Sequence, residues 1–334
     1  MNTKDFLFLN HHGIPNSTFI FQSFVNRGYD CDIVDETNLI QFLERGVNCK
    51  YRAVVLYLHY PQTIPYTDYI INNFCSDSVL IQHDDTDLED VQIWSSRPPD
   101  LVMQREFTDN TKNPRPCPIA PFHFPWVGCR DDSITERPYD VSFVANMTNS
   151  RRIPFVKRLQ ELMTGSLKHL NWCVNVEPHV NTPLPWYDKN LFGPKTQNFK
   201  EIANKSKIGL HYFGNSYDSH RIWELASCGT AILMPKVRAK SMHEGAMPFN
   251  EYEIMKDDFS DLEDKILYLL DNNRYKQVGD EARQAYESRH YPEKCFEYYH
   301  DTVLAFMQSK GSDIKGRYEY STSYVPNRYG MVWK

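Results

Sequence analysis

No CxxC pair and no Cys/His spacing of the metal-ligand kind occurs among the eight cysteines (Cys31, Cys49, Cys75, Cys117, Cys129, Cys173, Cys228, Cys295) of this 334-residue chain, so a zinc module is not expected. Several of them fall within apolar runs, where free thiols commonly pack, which points to a reducing compartment. No run approaches the roughly 20 apolar residues that a bilayer span needs. The opening MNTKDFLFLNHHG holds an apolar stretch of about four residues, too short for a signal-peptide core. A soluble, cytoplasmic protein is the expectation. An excess of basic charge is also missing: 37 Lys and Arg face 43 Asp and Glu, a formal net charge of −6. A protein held on nucleic acid by phosphate contacts is ordinarily basic, so the balance speaks against a DNA or RNA partner. There is no internal repeat and no low-complexity segment.

What is present is ordinary globular material, 41% hydrophobic and 24% charged, in a chain long enough for two α/β domains. Aromatics reach 14%, with 21 Tyr and 19 Phe, a surplus that suits stacking on rings or sugars and reads equally well as compositional bias. Short apolar runs at 5–9, 29–34, 51–58, 78–82 and 100–103 alternate with helical patterns at 17–27, 38–44 and 66–74. That alternation predicts a parallel, doubly wound sheet over residues 1–113. Residues 114–137 are dense in proline, which suits neither helices nor central strands, and read as a linker. Regular alternation resumes over 138–310, with strands at 140–144, 172–176, 208–212 and 231–234 and helices at 150–163, 196–206, 261–270, 274–289 and 292–308. Residues 311–334 form a tail that either crosses back to the first domain or lies along the surface.

The most informative stretch is SKIGLHYFGNSYDSHRIWELASCGTAILMP, residues 206–235. It reads as a buried strand, a polar loop, a helix carrying Arg221 and Glu224, then Cys228-Gly229 and a second strand. In open α/β sheets ligands bind where such loops leave the carboxyl ends of strands. Arg221 offers a rigid fork for a diphosphate. Glu224, three residues on and on the same helical face, is an acceptor suited to a ribose diol. Together they fit a nucleotide-sugar site.

Residues 138–300 resemble the nucleotide-binding lobe of glycosyltransferases of the two-Rossmann (GT-B) architecture, nearest to the exostosin-like and spore-maturation-protein-like group-one transferases. YDVSFVANMTNSRR (139–152) is similar to the opening strand, loop and basic helix start of that lobe. Ser219-His220-Arg221 with Glu224 and Gly229 resembles S-x-R-x-x-E-x-x-x-x-G, and HYPE (290–293) lies among the closing helices. The resemblance implies two Rossmann-like doubly wound domains facing a central cleft, a nucleotide-sugar donor (a UDP-sugar by default) and transfer to an acceptor hydroxyl of a glycan, a small molecule or DNA. One departure stands out: the earlier glutamate of the retaining E-x7-E pattern is Ser216 here, which leaves retaining chemistry unsupported.

On that resemblance Arg221 grips the donor diphosphate through bidentate, charge-assisted bonds, and Glu224 binds ribose hydroxyls. Ser219 caps its helix while backbone N–H groups there meet a phosphate, with His220 beside it, and Gly229 makes the tight turn. Arg151 and Arg152 start a helix after a strand, and either reach phosphates or are solvated. His211, at a strand end, either faces the donor or is a hydrogen-bonded core residue. The acceptor-activating base is expected from the first domain. His12 follows the first strand, where an imidazole titrating near neutrality takes a proton from a hydroxyl, and Asp84 and Asp85 follow the strand at 78–82. Asp85 and Asp87 also spell D-x-D, a motif that elsewhere holds a divalent cation, but no cofactor is expected to be required. Two other readings stay open: a DNA-modifying transferase of the same fold, and a non-catalytic nucleotide-sugar-binding protein that has lost its base.

Overall fold

The computed structural model describes residues 2–10, 15–46, 49–58, 66–86, 88–92, 94–115, 117–122, 127–147, 150–177, 192, 198–214, 217, 219–240, 242, 252–312, 324–327 and 330–333. The chain divides into two compact units. Unit 1 comprises Met1–Pro125, Ala239–Glu244 and Pro292–Lys334, and unit 2 comprises Trp126–Arg238 and Gly245–Tyr291.

Unit 1 opens with β1 (Asn2–Leu9), α1 (Pro15–Asn26), β2 (Cys31–Val34), α2 (Leu39–Gly46), β3 (Cys49–Leu58), α3 (Thr67–Phe74), β4 (Val79–Asp84), β5 (Leu101–Gln104) and β6 (Ile119–Pro121). The six strands form one sheet in the order β2-β1-β3-β4-β5-β6, every pair parallel. Phe6 to Leu9 and Ala53 to Leu56 are apolar without alternation because both faces of these strands are buried, as parallel sheets require. β6 falls inside the proline-rich segment that the sequence presents as a linker. Its place at the sheet edge is where a proline is tolerated, and Val102 N–H donates to the carbonyl of Pro118 at 3.0 Å to start the pairing.

Unit 2 contains β7 (Tyr139–Asn146), α4 (Arg152–Thr164), β8 (Trp172–Glu177), α5 (Phe199–Lys205), β9 (Ser206–Leu210), α6 (His220–Ser227), β10 (Ala231–Pro235), β11 (Glu253–Met255), α7 (Leu262–Leu270) and α8 (Arg274–Ala285), the last running into a π-helical turn, Tyr286–His290. Its sheet runs β11-β10-β9-β7-β8, again all parallel. Phe143, Phe155, Leu159, Val174, Ile208, Leu233 and Ile266 share one core. α5 starts at Phe199 because Asn198 is its N-cap, the Asn198 side chain accepting from Lys200 N–H, and β9 follows at once. β11 has three residues, too few for a periodic signal.

The chain then returns to unit 1 as α9 (Pro292–Ser309). Its Tyr299 and His300 rings pack 6.2 and 5.5 Å from Phe24 of α1, and His300 Nε2 lies 2.9 Å from the Tyr29 hydroxyl. In the tail, β12 (Tyr324–Asn327) and β13 (Gly330–Trp333) pair antiparallel.

Candidate functional site

In the unit 2 sheet the strand order reverses between β7 and β9. At such a switch point the loops leaving neighbouring strands diverge, and ligands bind outside the carboxyl ends there. Arg152, first residue of α4, ties the two loops together: Nη1 donates to the carbonyl of Asn146 at the end of β7 (2.5 Å) and Nη2 to the carbonyl of Tyr212 beyond β9 (3.2 Å). Its buried Nε has no hydrogen-bond partner among the described residues. Burial, then the charge of Arg221, lowers its pKa to about 10, so the guanidinium stays charged at neutral pH. The neighbouring Arg151 is exposed.

His211 continues the line of β9, its N–H donating to the carbonyl of Leu233 at 3.0 Å. The ring is 3% exposed and Nε2 lacks a hydrogen-bond partner among the described residues. Burial, followed by the charges of Arg152, His220 and Arg221, drives its pKa down to about 3. A neutral imidazole therefore faces a cluster of cations.

Ser219 is extended, and its side chain accepts from the N–H of Arg221 at 3.4 Å, capping α6. The first turn of α6 carries no acidic residue, so the positive end of its dipole is not offset by a carboxylate there. His220, half-buried, is its first residue. Arg221 Nη1 meets Glu224 Oε2 at 3.2 Å, and the guanidinium carbon sits 3.7 Å from the ring centroid of Phe199 on α5. The two residues that the sequence offers as separate ligand groups thus also hold each other. Burial lowers the Arg221 pKa, opposed by Glu224, and burial raises that of Glu224, opposed by Arg221.

Gly229, with φ +65, turns the chain from α6 into β10, and α8 crosses this turn so closely that a Cβ on Gly279 would stand 2.2 Å from the Gly229 carbonyl oxygen. Arg137 pins the same turn, donating to the carbonyl of Cys228 (2.6 Å), that of Ser206 (2.5 Å) and Thr230 Oγ1 (2.9 Å). Sequence reasoning passes over Phe199 and Arg137. Neither belongs to a motif, and both act across tens of residues.

In unit 1, His12, Asp87 and the Ser216 position of unit 2 lie outside the described residues. Asp84 and Asp85 stand at the carboxyl end of β4, as expected, but both are buried and engaged. Asp84 Oδ1 accepts from Thr86 N–H (3.1 Å) and Oγ1 (2.7 Å), and Oδ2 from Gln92 N–H (3.1 Å). Burial nonetheless raises its pKa. Asp85 pairs with Arg105 Nη1 (3.1 Å) and accepts from the Tyr57 hydroxyl (2.7 Å). These contacts commit both carboxylates to the protein itself. No group of three or more His, Cys, Asp or Glu suited to a metal ion occurs among the described residues.

Residues 153–301 match the model of the glycosyl transferase-like family. The two parallel α/β sheets make a two-domain, Rossmann-like fold. The fold is similar to that of TarM (10% identical, covering 76% of this chain and 54% of that one, TM-score 0.54) and of sucrose-phosphate synthase from Thermosynechococcus elongatus (8% identical, 92% and 100% covered, TM-score 0.56). It is also similar to a GtfA/B complex (10% identical, 82% and 61% covered, TM-score 0.50). The chain spans 54% of the length of TarM and 61% of that of the GtfA/B chain. No curated protein matches it. The matched residues take in His211, Ser219, His220, Arg221, Glu224 and Gly229 and start one residue after Arg152. No helix among the described residues is long and apolar enough to cross a membrane.

Proposed function

We propose that the chain is a glycosyltransferase that draws its sugar from a nucleotide-sugar donor held at the β7/β9 switch point of unit 2, with a UDP-sugar as the first donor to test. The observation that carries this reading is the group formed by Arg221, the His211 Nε2 that has no partner among the described residues, and the first turn of α6 without an acidic residue. An unpaired polar atom inside a buried cationic group is costly, and an anion with several acceptor oxygens answers it. A diphosphate takes bonds from the α6 N–H groups and the Arg221 fork, and Glu224 accepts from the ribose hydroxyls. As the glycosidic bond to the diphosphate breaks, negative charge grows on the leaving oxygen, and these fixed donors stabilise it.

The acceptor hydroxyl, of a glycan or a small molecule, loses its proton to a side-chain base. Asp84 and Asp85 are spent on internal bonds, so the role passes to His12, which follows β1 in the chain. The scattered cysteines, none of them in a disulfide, suit the reducing cytoplasm.

A thermal-shift panel of nucleoside diphosphates and nucleotide sugars tests the reading. A ligand that binds only the native state raises the melting temperature, and the expected result is a rise with one nucleotide class that Arg221→Ala abolishes. Slow donor hydrolysis by the intact protein separates an enzyme from a mere binder. No shift across the panel, or a shift untouched by Arg221→Ala, overturns the assignment.

A further inference from the structure

One buried thiol pair in unit 2 has no part in the sugar-transfer reading. Cys129 Sγ and Cys228 Sγ lie 3.1 Å apart, in residues 6% and 4% exposed, although 99 positions separate them in the chain. Both backbones are pinned. Cys129 N–H donates to Ser227 Oγ at 2.9 Å, and the Asn204 side-chain amide donates to the Cys129 carbonyl at 2.7 Å. Cys228 N–H reaches the carbonyl of Glu224 (3.3 Å), while Arg137 holds the Cys228 carbonyl (2.6 Å). The neighbouring Gly128 has no room for a side chain, since a Cβ there would meet Ser227 Cβ at 2.7 Å. The segment that enters unit 2 is thereby pressed against the last turn of α6, and the two sulfurs meet because several independent contacts bring them together.

We propose that Cys129 and Cys228 are a redox-modification site that closes to an intramolecular disulfide when the surrounding thiol pool becomes oxidising. A small-molecule disulfide such as oxidised glutathione is the oxidant. One cysteine thiolate attacks it, forming a mixed disulfide and releasing one glutathione thiol. The second cysteine then attacks the protein sulfur and releases the other. The two cysteines lose two protons and two electrons, and the glutathione disulfide gains them as two thiols. The Cys129 thiol is held neutral: its hydrogen bond with Cys228 and its burial push its pKa up. Thiolate is the attacking form, so Cys129 rests as a thiol in reducing surroundings and reacts when the segment opens. Once formed, the bond ties the entry segment of unit 2 to the helix that carries Arg221 and Glu224.

The test compares full-length protein incubated natively with oxidised glutathione and the same protein refolded from denaturant in a glutathione redox buffer, so that burial does not limit access. Each sample is denatured, alkylated and mapped by mass spectrometry without reduction. The expected result is a single linked peptide pair containing Cys129 and Cys228, released by reductant, with the other six cysteines alkylated. The oxidised protein should also melt at higher temperature than the reduced one, and Cys129→Ser and Cys228→Ala should each remove both the linkage and the rise. Full alkylation of both cysteines after refolding in redox buffer overturns the proposal. So does pairing of either one with a different cysteine, or a linked form that melts no higher.

Discussion

The Arg221 guanidinium lies against the ring of Phe199, its Cζ 3.7 Å from the ring centroid. A long cationic side chain is otherwise free to sample many rotamers. Here an aromatic face on α5 and the Glu224 carboxylate on α6 set its direction before any ligand arrives. A cation over an aromatic face is worth about 0.5–2 kcal/mol, so Phe199→Leu should weaken nucleotide binding by roughly 2- to 30-fold. Titration calorimetry with UDP, or with whichever nucleotide the panel selects, reads this directly. A lowered melting temperature with unchanged affinity would show that the ring serves packing alone.

Arg152 joins the ends of two diverging strands through the carbonyls of Asn146 and Tyr212. Hydrogen bonds from a charged donor contribute roughly 1.5–3 kcal/mol each. Arg152→Met should therefore cost about 3 kcal/mol or more in urea unfolding of the protein. Arg152→Lys should recover only part of that, because an ammonium is a point donor without the fork that spans both carbonyls.

His211 gives a pH dependence with a definite sign. In the folded protein its imidazole stays neutral down to about pH 3, whereas in the unfolded chain it gains a proton near about pH 6.5. Between those values the unfolded state binds more protons, so stability is fully present above the unfolded pKa and falls as pH drops. The slope reaches at most about 1.4 kcal/mol per pH unit. Melting temperatures of wild type and His211→Gln taken from pH 7.5 to pH 5 should diverge, with the variant losing less on acidification. Parallel curves would mean that His211 binds its proton in the native state as it does in the unfolded chain.

Gly279→Ala should be among the most damaging single-methyl additions in unit 2. The new Cβ would stand 2.2 Å from the Gly229 carbonyl oxygen, a backbone atom with no freedom to rotate away. Overpacking of this kind costs roughly 1–3 kcal/mol, and the upper end is expected here. Circular dichroism melts of the variant check it.

The parallel sheets were legible because buried strands such as Phe6 to Leu9 and Ala53 to Leu56 read as unbroken apolar runs. The S-x-R-x-x-E spacing likewise placed Arg221 and Glu224 on one face of a helix. Spacing is silent, however, on whether two such side chains face a ligand or each other, and here they meet at 3.2 Å. Asp84 and Asp85 carry the sequence signature of a strand-end acid. What occupies Asp85 comes from Arg105 and Tyr57, 20 and 28 residues away, a pairing no local pattern records. β6 was hidden because proline content is a reliable sign of a non-central strand and says little about an edge one. The placement of α9 depends on Phe24 and Tyr29 at the other end of the chain, contacts beyond the reach of periodicity.

That placement has a consequence for how the protein is made. Tyr299 and His300 complete the aromatic core around Phe24, Tyr29 and Phe122, yet they are translated after every strand of both sheets. Domains generally fold as they leave the ribosome, in order of synthesis. In this chain the strands of unit 1 must wait for α9, with part of their apolar surface bare meanwhile. A stop codon before Pro292 would therefore spare the later half and strand the earlier one as a substrate for chaperones and proteases.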